Sequence, residues 1–177
     1  MRNIELKVSV DGFDGIMPLL MNMGAVFAEI IRQVDTYYET GNGRLKIREI
    51  NDCDFELIFY QRPNRTNSRI SNYHWTTIAS EQLRSFKHAL GKALGEKAVV
   101  KKERRLWMYG NTRIHLDEVV GLGTFLELET VVKKGCLKEA RVEHKKVVES
   151  LGLSRFKKIP DSYSDMLLQK KKTNHKP

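Results

Sequence analysis

The chain has 177 residues, a normal length for one domain and sufficient to bury a core without disulfides or metal ions. Its formal net charge is +9, from 31 lysines and arginines against 22 aspartates and glutamates, which favours a polyanionic partner. No segment approaches the roughly 18 consecutive apolar residues of a membrane span, and the first residues lack the apolar run of a secretory signal. We therefore expect a cytoplasmic protein that does not bind membranes.

The first predicted element is a β-strand at residues 2–10, RNIELKVSV. Apolar and polar residues alternate along it, so one face is apolar and the other carries Asn3, Glu5, Lys7 and Ser9. An acid and a base therefore share one face. In most half-buried strands such a face meets water.

A helix is predicted within residues 11–33, where Leu19, Met23, Phe27 and Ile30 are among the apolar residues that recur at helical spacing. Pro18 indicates that this helix begins or breaks near that residue. Its stripe of methionine and leucine is typical of core packing.

The rest of the chain reads as strands with three helices. Glycine and asparagine in TGNG predict a turn between two of the strands. The polar, basic stretch 63–72 reads as a loop, and the basic end 169–177 as a disordered tail. Strands are predicted at 33–39, 43–50, 54–62, 73–78, 98–110, 111–119 and 124–132, and helices at 81–95, 138–152 and 161–170.

Charged residues dominate one face of several of these strands. The faces of 43–50 and 98–110 are cationic, the face of 124–132 is anionic, and that of 111–119 is mixed. Two interpretations remain open at this point. The charged faces belong to an ordinary sheet and meet solvent, or the sheet curls so that they line a shared interior.

A charged interior would suit a phosphate ligand with a metal ion. Arginine forks and lysine ammonium groups bind phosphate oxygens, whereas clustered carboxylates bind hard divalent cations such as Mg²⁺ or Mn²⁺. Nucleic-acid binding is the less favoured use of the positive charge, because the cations alternate with carboxylates and no exposed set of stacking aromatic residues is evident.

The order of several short motifs resembles the CYTH family, the triphosphate tunnel enzymes, and within it the class IV adenylyl cyclase-like branch. The motifs are IELK, DTYYE with GRLKIRE, YQRP with SRIS, VKKERRLW, TRIHLDEVVGLGTFLELE and DSYSDMLL. The resemblance spans residues 3 to about 168, so it implies a CYTH domain at 1–168 before the basic tail. It also implies an α+β fold in which a closed or nearly closed antiparallel barrel with a charged interior carries flanking helices.

The family begins with the motif Glu-x-Glu-x-Lys on a strand that faces the tunnel. Here the motif reads Asn3-Ile4-Glu5-Leu6-Lys7, so the second glutamate and the lysine are present and the first glutamate is replaced. An asparagine can coordinate a metal through its carbonyl oxygen but brings no negative charge.

The resemblance implies a role for each matching residue. Glu5, Lys7 and Glu127 would carry the catalytic role. The metal would be held by Glu5, Asp117, Glu127 and Glu129. The triphosphate would be held by Lys7, Lys46, Arg48, Arg62, Lys102, Arg104 and Arg113, with Arg69 on the loop as an addition.

His115 lies between Arg113 and Asp117 on the same strand face. Its imidazole could act as a general base, or it could be a hydrogen-bonded neighbour that takes no part in the chemistry. The sequence leaves both interpretations open.

Three functions fit these residues. The first is metal-dependent hydrolysis of a triphosphate, whether inorganic, thiamine or nucleoside, with water as the nucleophile. The second is cyclisation of ATP to cyclic AMP and pyrophosphate, in which the ribose 3′-hydroxyl attacks. The third is a module that binds a triphosphate or polyphosphate without turnover, which the altered Asn3 keeps open. We expect hydrolysis, because water needs no positioned ribose, and a homodimer is compatible with the sequence.

Overall fold

The computed structural model describes residues 2–61 and 72–174. Eight strands form one antiparallel sheet in the order β1-β8-β7-β6-β2-β3-β4-β5, and four α-helices flank it. The strands are β1 (Arg2–Val10), β2 (Val26–Tyr38), β3 (Arg44–Ile50), β4 (Asp54–Gln61), β5 (Asn72–Thr77), β6 (Glu96–Tyr109), β7 (Thr112–Val119) and β8 (Gly123–Val132). The helices are α1 (Met17–Asn22), α2 (Ser80–Leu94), α3 (Leu137–Ser150) and α4 (Tyr163–Asn174).

The predicted turn between β2 and β3 contains a glycine that no other residue could replace without strain. Gly43 has a φ of 69°, a left-handed conformation that glycine adopts freely. A Cβ atom at this position would lie 2.7 Å from the ring of Phe59. The TGNG segment therefore joins the two strands as predicted.

The long helix predicted within residues 11–33 is wrong for its second half. Only Met17–Asn22 is helical, and residues from Val26 onward belong to β2. Gly24, with a φ of 81°, lies between the two elements. The run from Val26 to Ile31 is rich in β-branched and aromatic residues, and pairing with β6 places it in the sheet. Short apolar runs are compatible with both helical and strand periodicity, and here the pairing with β6 decides in favour of a strand.

The apolar faces of the strands turn outward and pack against the helices. Strands β1, β7 and β8 share one core with α3, in which Val8, Leu116, Leu126 and Val147 are completely buried. Helix α2 covers β4 through a second cluster that includes Phe55. The charged faces are consequently left on the concave side of the sheet.

The segment between α3 and α4 covers the free edge of β1. The backbone N–H of Ser9 donates to the carbonyl of Lys157 at 3.2 Å, and the N–H of Ile159 donates to the carbonyl of Lys7 at 2.9 Å. This path carries Ser162 and Tyr163 to the concave side of the sheet. Within residues 2–61 and 72–174, the edge strands β1 and β5 are not hydrogen-bonded to each other, so hydrogen bonds do not close the curled sheet into a complete barrel.

The basic end of the chain differs from its prediction as a disordered tail. Residues 169–174 continue α4, and the ammonium group of Lys170 donates to the carbonyl of Gly121 at 2.7 Å, which ties this turn of helix to the β7–β8 connection. Residues 175–177 lie outside the described residues. In the described part of the chain, no helix is both long and apolar enough to cross a membrane.

Candidate active site

The concave side of the sheet encloses a cavity of about 440 Å³ that receives side chains from all eight strands. This observation favours the tunnel over the solvated-face interpretation. Among the described residues, its lining comprises Asn3, Glu5, Lys7, Asp35, Tyr37, Lys46, Arg48, Ile50, Glu56, Ile58, Tyr60, Trp75, Lys102, Arg104, Arg113, Glu127, Glu129, Ser162 and Tyr163.

Strands β2 and β3 build a cationic wall around Asp35. The carboxylate of Asp35 accepts one hydrogen bond from Lys46 at 2.7 Å and two from Arg48, at 2.7 and 2.9 Å. Burial alone would raise the pKa of Asp35, but the charges of Arg48 and Lys46 outweigh it and hold that pKa well below its usual value. One anion therefore fixes two cations that face the cavity.

Lys46 differs from an ordinary lysine in its ionisation. Burial, followed by repulsion from Arg48, lowers its pKa from 10.5 to about 7, and the attraction of Asp35 offsets only part of this. Lys46 is therefore readily switched between its neutral and charged forms near neutral pH.

A second buried charge cluster lies beneath the cavity and centres on Asp117. Its carboxylate accepts hydrogen bonds from Arg104 at 2.6 and 2.7 Å, from Lys102 at 3.5 Å and from the hydroxyl of Tyr163 at 2.9 Å. Asp117 is 0% exposed and is not among the lining residues described above. Its predicted role as a metal ligand stays a prediction, while the geometry makes it the anchor of the cations above it.

Strands β1 and β8 build a carboxylate wall on the other side of the cavity. Their register places Glu5 opposite Glu129 and Lys7 opposite Glu127. Glu127 lies 4.0 Å from the ammonium group of Lys7 and 3.1 Å from the guanidinium group of Arg104. Burial opposes its ionisation, but these two cations lower its pKa to about 2, so Glu127 is charged at neutral pH.

This wall fits a hard divalent cation. Ligand atoms of His115, Glu127 and Glu129 all lie within 4.8 Å of one another. The side-chain oxygen of Asn3 is buried and, like Nδ1 of His115, has no hydrogen-bond partner among the described residues. Buried oxygen and imidazole acceptors without a donor are suited to a cation.

His115 is buried beside this wall and its Nδ1 lies 3.9 Å from an oxygen of Glu129. Burial, followed by repulsion from Arg104, lowers its pKa to about 4. An imidazole with that pKa is a weak base at neutral pH. The structure thus favours the neighbour or ligand interpretation over the general base.

The two walls nearly balance each other in charge. Among the described lining residues there are six lysines and arginines and five carboxylates. A triphosphate carries about four negative charges, which exceeds this small surplus of positive charge. A divalent cation at the carboxylate wall would supply most of the missing positive charge.

The structure brings together most of the predicted site residues and adds others. Arg62 and Arg69 lie outside the described residues, and every other predicted residue lines the cavity except Asp117. Sequence reasoning missed Asp35, which shares a face of β2 with Tyr37. Alternation within the predicted strand at 33–39 could have revealed it. Tyr163 comes from a terminal helix and gave no comparable signal.

The geometry first defines a class of protein: an α+β tunnel in which a cationic and a carboxylate wall face one cavity. The CYTH domain family matches residues 1–163, and the chain therefore belongs to that family. This confirms the resemblance of the sequence motifs to the family.

Solved structures share the fold across most of their length. The PH1012 protein from Pyrococcus horikoshii OT3 has a TM-score of 0.78 and 24% identity, covering 92% of this chain and 98% of that one. A conserved hypothetical protein from Pyrococcus furiosus has a TM-score of 0.76 and 22% identity, with the same coverages. A candidate adenylate cyclase from Vibrio parahaemolyticus has a TM-score of 0.72 and 19% identity, covering 94% and 98%. No curated relative matches this chain by sequence.

Proposed function

We propose that the protein is a divalent-metal-dependent enzyme that hydrolyses a triphosphate held in its tunnel. The observation that carries this proposal is the separation of charge inside one cavity, with Lys46 and Arg48 on one wall and Glu5, Glu127 and Glu129 on the other. A plain anion-binding pocket would have no use for the carboxylates, because they repel phosphate.

The cations of the tunnel would bind and orient the phosphate chain. Arg48 and Arg104 are each fixed by two hydrogen bonds to a buried aspartate, and Arg104 by a third to Glu127, so their guanidinium groups are held in place beside the phosphate chain. Such fixed donors stabilise charge that develops in the transition state without reorganising. Lys7, between Glu127 and the ring of Tyr163, would contribute at the point where the two walls meet.

Glu5, Glu127 and Glu129 would hold the metal ion, with Asn3 and His115 close to them. A bound Mg²⁺ or Mn²⁺ would withdraw negative charge from the phosphoryl group under attack. Glu127 is ionised at neutral pH and is therefore ready to serve as a ligand. The same residues would also exclude a phosphate chain from this wall when the cation is absent.

One experiment separates hydrolysis from the alternatives. The protein is incubated with Mg²⁺ or Mn²⁺ and, separately, with tripolyphosphate, ATP and thiamine triphosphate, and the products are identified by phosphorus NMR and chromatography. Orthophosphate supports the proposal. Cyclic AMP with pyrophosphate from ATP alone would identify a cyclase, the activity named for the Vibrio parahaemolyticus protein. Binding without product would identify a non-catalytic module.

Restoring the family's first glutamate should strengthen metal binding. The Asn3→Glu variant adds a negative charge at the carboxylate wall, where the asparagine oxygen is buried. We expect at least a severalfold lower dissociation constant for Mn²⁺, measured by isothermal titration calorimetry. The matched control is Ser9→Glu on the same face of β1, which does not line the cavity. Equal Mn²⁺ affinity in Asn3→Glu and wild type would contradict the ligand role.

Binding of tripolyphosphate should take up a proton above pH 7. In the empty tunnel Lys46 has a pKa of about 7 and is mostly neutral at pH 8.5, whereas a bound polyanion favours its ammonium form. Affinity should therefore be greatest below pH 7 and fall as pH rises through that value. Besides Asp35, the groups that face Lys46 are Arg48, Lys102 and the rings of Tyr37 and Tyr60.

The number of protons taken up on binding is measured by isothermal titration calorimetry at pH 8.5 in two buffers of different ionisation enthalpy. The binding enthalpy should differ between buffers for wild type and should lose part of that difference in Lys46→Met, because Lys102, whose pKa burial lowers to about 8, takes up the remaining proton. The control Lys97→Met changes a half-buried lysine that pairs with Glu39 outside the cavity and should behave as wild type. Identical enthalpies in both buffers for wild type would refute the prediction.

A further inference from the structure

The cavity has one wall that neither the cations nor the carboxylates explain. Trp75 lies on the edge strand β5 and lines the cavity, yet 64% of it is exposed. The other tryptophan, Trp107, is 8% exposed and packs edge-to-face with Phe27 in the outer core. An indole left in water forgoes the stabilisation that burial of so large a ring provides.

Trp75 stands in line with the cationic wall. The register of the sheet pairs Lys46 with Ile58 and Ile58 with Trp75, so the three side chains follow one another across β3, β4 and β5. Adjacent strands lie about 4.8 Å apart, so the backbone of Trp75 lies two strand spacings, roughly 10 Å, from the backbone of Lys46. Ile58, which lies between the other two in this row, also lines the cavity and gives it an apolar surface next to Trp75.

This row matches a ligand with two chemically different parts. The phosphate end would lie against Lys46 and Arg48, and a group beyond it would reach Ile58 and the face of the indole. Planar rings stack on tryptophan, and the side chain of Ile58 beside it would exclude water from the ring's edge. A bare tripolyphosphate has no group that could use this surface.

We propose that Ile58 and Trp75 form a subsite for a planar ring, so that the substrate is a ring-bearing organic triphosphate rather than inorganic tripolyphosphate. This inference rests on the proposed function, because it extends the same tunnel. Trp75 is a specificity residue here, and the phosphate chain binds without it.

A variant with one tryptophan tests the contact directly. Trp107→Phe leaves Trp75 as the sole tryptophan, so the intrinsic fluorescence reports on the subsite alone. Titration with ATP or thiamine triphosphate should quench this fluorescence, and tripolyphosphate at saturation should leave it nearly unchanged. Equal responses to all three ligands would overturn the inference.

Affinities provide the second readout and separate the two proposals. In Trp75→Ala the dissociation constant of ring-bearing triphosphates should rise about 5- to 100-fold, the usual effect of losing one stacked ring, while that of tripolyphosphate stays within about twofold. The matched control is His74→Ala, which changes the neighbouring residue on the opposite face of β5.

Each outcome bears on one proposal. If tripolyphosphate and the organic triphosphates all fail to bind the wild type, the proposed function fails. If all bind equally and Trp75→Ala alters none of them, the tunnel function stands and the ring subsite is refuted. A selective loss for only one of ATP and thiamine triphosphate identifies which ring the subsite takes.

Discussion

Replacing Asp117 with asparagine should lower the free energy of unfolding by about 3–5 kcal/mol, the usual cost of leaving a buried charge without its partner. Asp117 is 0% exposed, and its two oxygens accept hydrogen bonds from Arg104, Lys102 and Tyr163. Asparagine has nearly the same shape but no charge. The loss therefore comes from the uncompensated guanidinium group and not from a cavity.

Urea unfolding followed by circular dichroism measures the effect. The control Glu118→Gln changes the adjacent, exposed residue on the opposite face of β7 and should stay within about 0.5 kcal/mol of wild type. Adding Arg104→Met to Asp117→Asn should recover part of the loss, because it removes the charge left without a partner. An Asp117→Asn protein as stable as the control would show that the cluster does not hold the tunnel together.

The charged walls were predictable because alternation is a property of the backbone. Once residues 43–50 are a strand, Lys46 and Arg48 must share a face, and the same holds for Glu127 and Glu129 on β8. Helices with apolar stripes then take the other face. The curled sheet and its charged interior follow from this pattern together with the family resemblance.

Depth within the interior was not predictable in the same way. Arg113 and Asp117 share a face of β7, yet Arg113 lines the cavity and Asp117 lies buried beneath it. The alternation of side chains along a strand assigns each residue to one face of the sheet, but it does not say how far that residue lies from solvent. That distance depends on Tyr163 and Lys102, which reach Asp117 from two other elements.

Two further features depend on tertiary contacts. Val26 and Ile30 read equally well in a helix or a strand, and pairing with β6 decides between the two. Tyr163 enters the cavity because the preceding residues follow the edge of β1, a path with no local sequence signal. Asp35, by contrast, was accessible to the alternation argument, since it lies in a stretch predicted as a strand.

Replacing Glu129 with glutamine should abolish most of the metal-dependent turnover while leaving the fold intact. The variant keeps the volume of the side chain and removes one charge from the carboxylate wall. Glu129 makes a loose pair with Arg113 at 3.7 Å and is partly exposed, so its loss removes little stability. Mutation of a residue that only supports a metal ligand typically lowers metal affinity or activity about 10- to 100-fold. The loss of a ligand itself should therefore lower kcat/KM roughly 100-fold or more.

Three measurements make this prediction decisive. Turnover of the best triphosphate substrate is followed as a function of Mg²⁺ or Mn²⁺ concentration for wild type, Glu129→Gln and the control Glu118→Gln. The control should match wild type, and Glu129→Gln should require more metal for its residual activity. Urea unfolding should place all three proteins within about 1 kcal/mol of one another. Undiminished turnover in EDTA, or full activity in Glu129→Gln at limiting metal, would remove Glu129 from the metal site and leave the carboxylate wall without its proposed role.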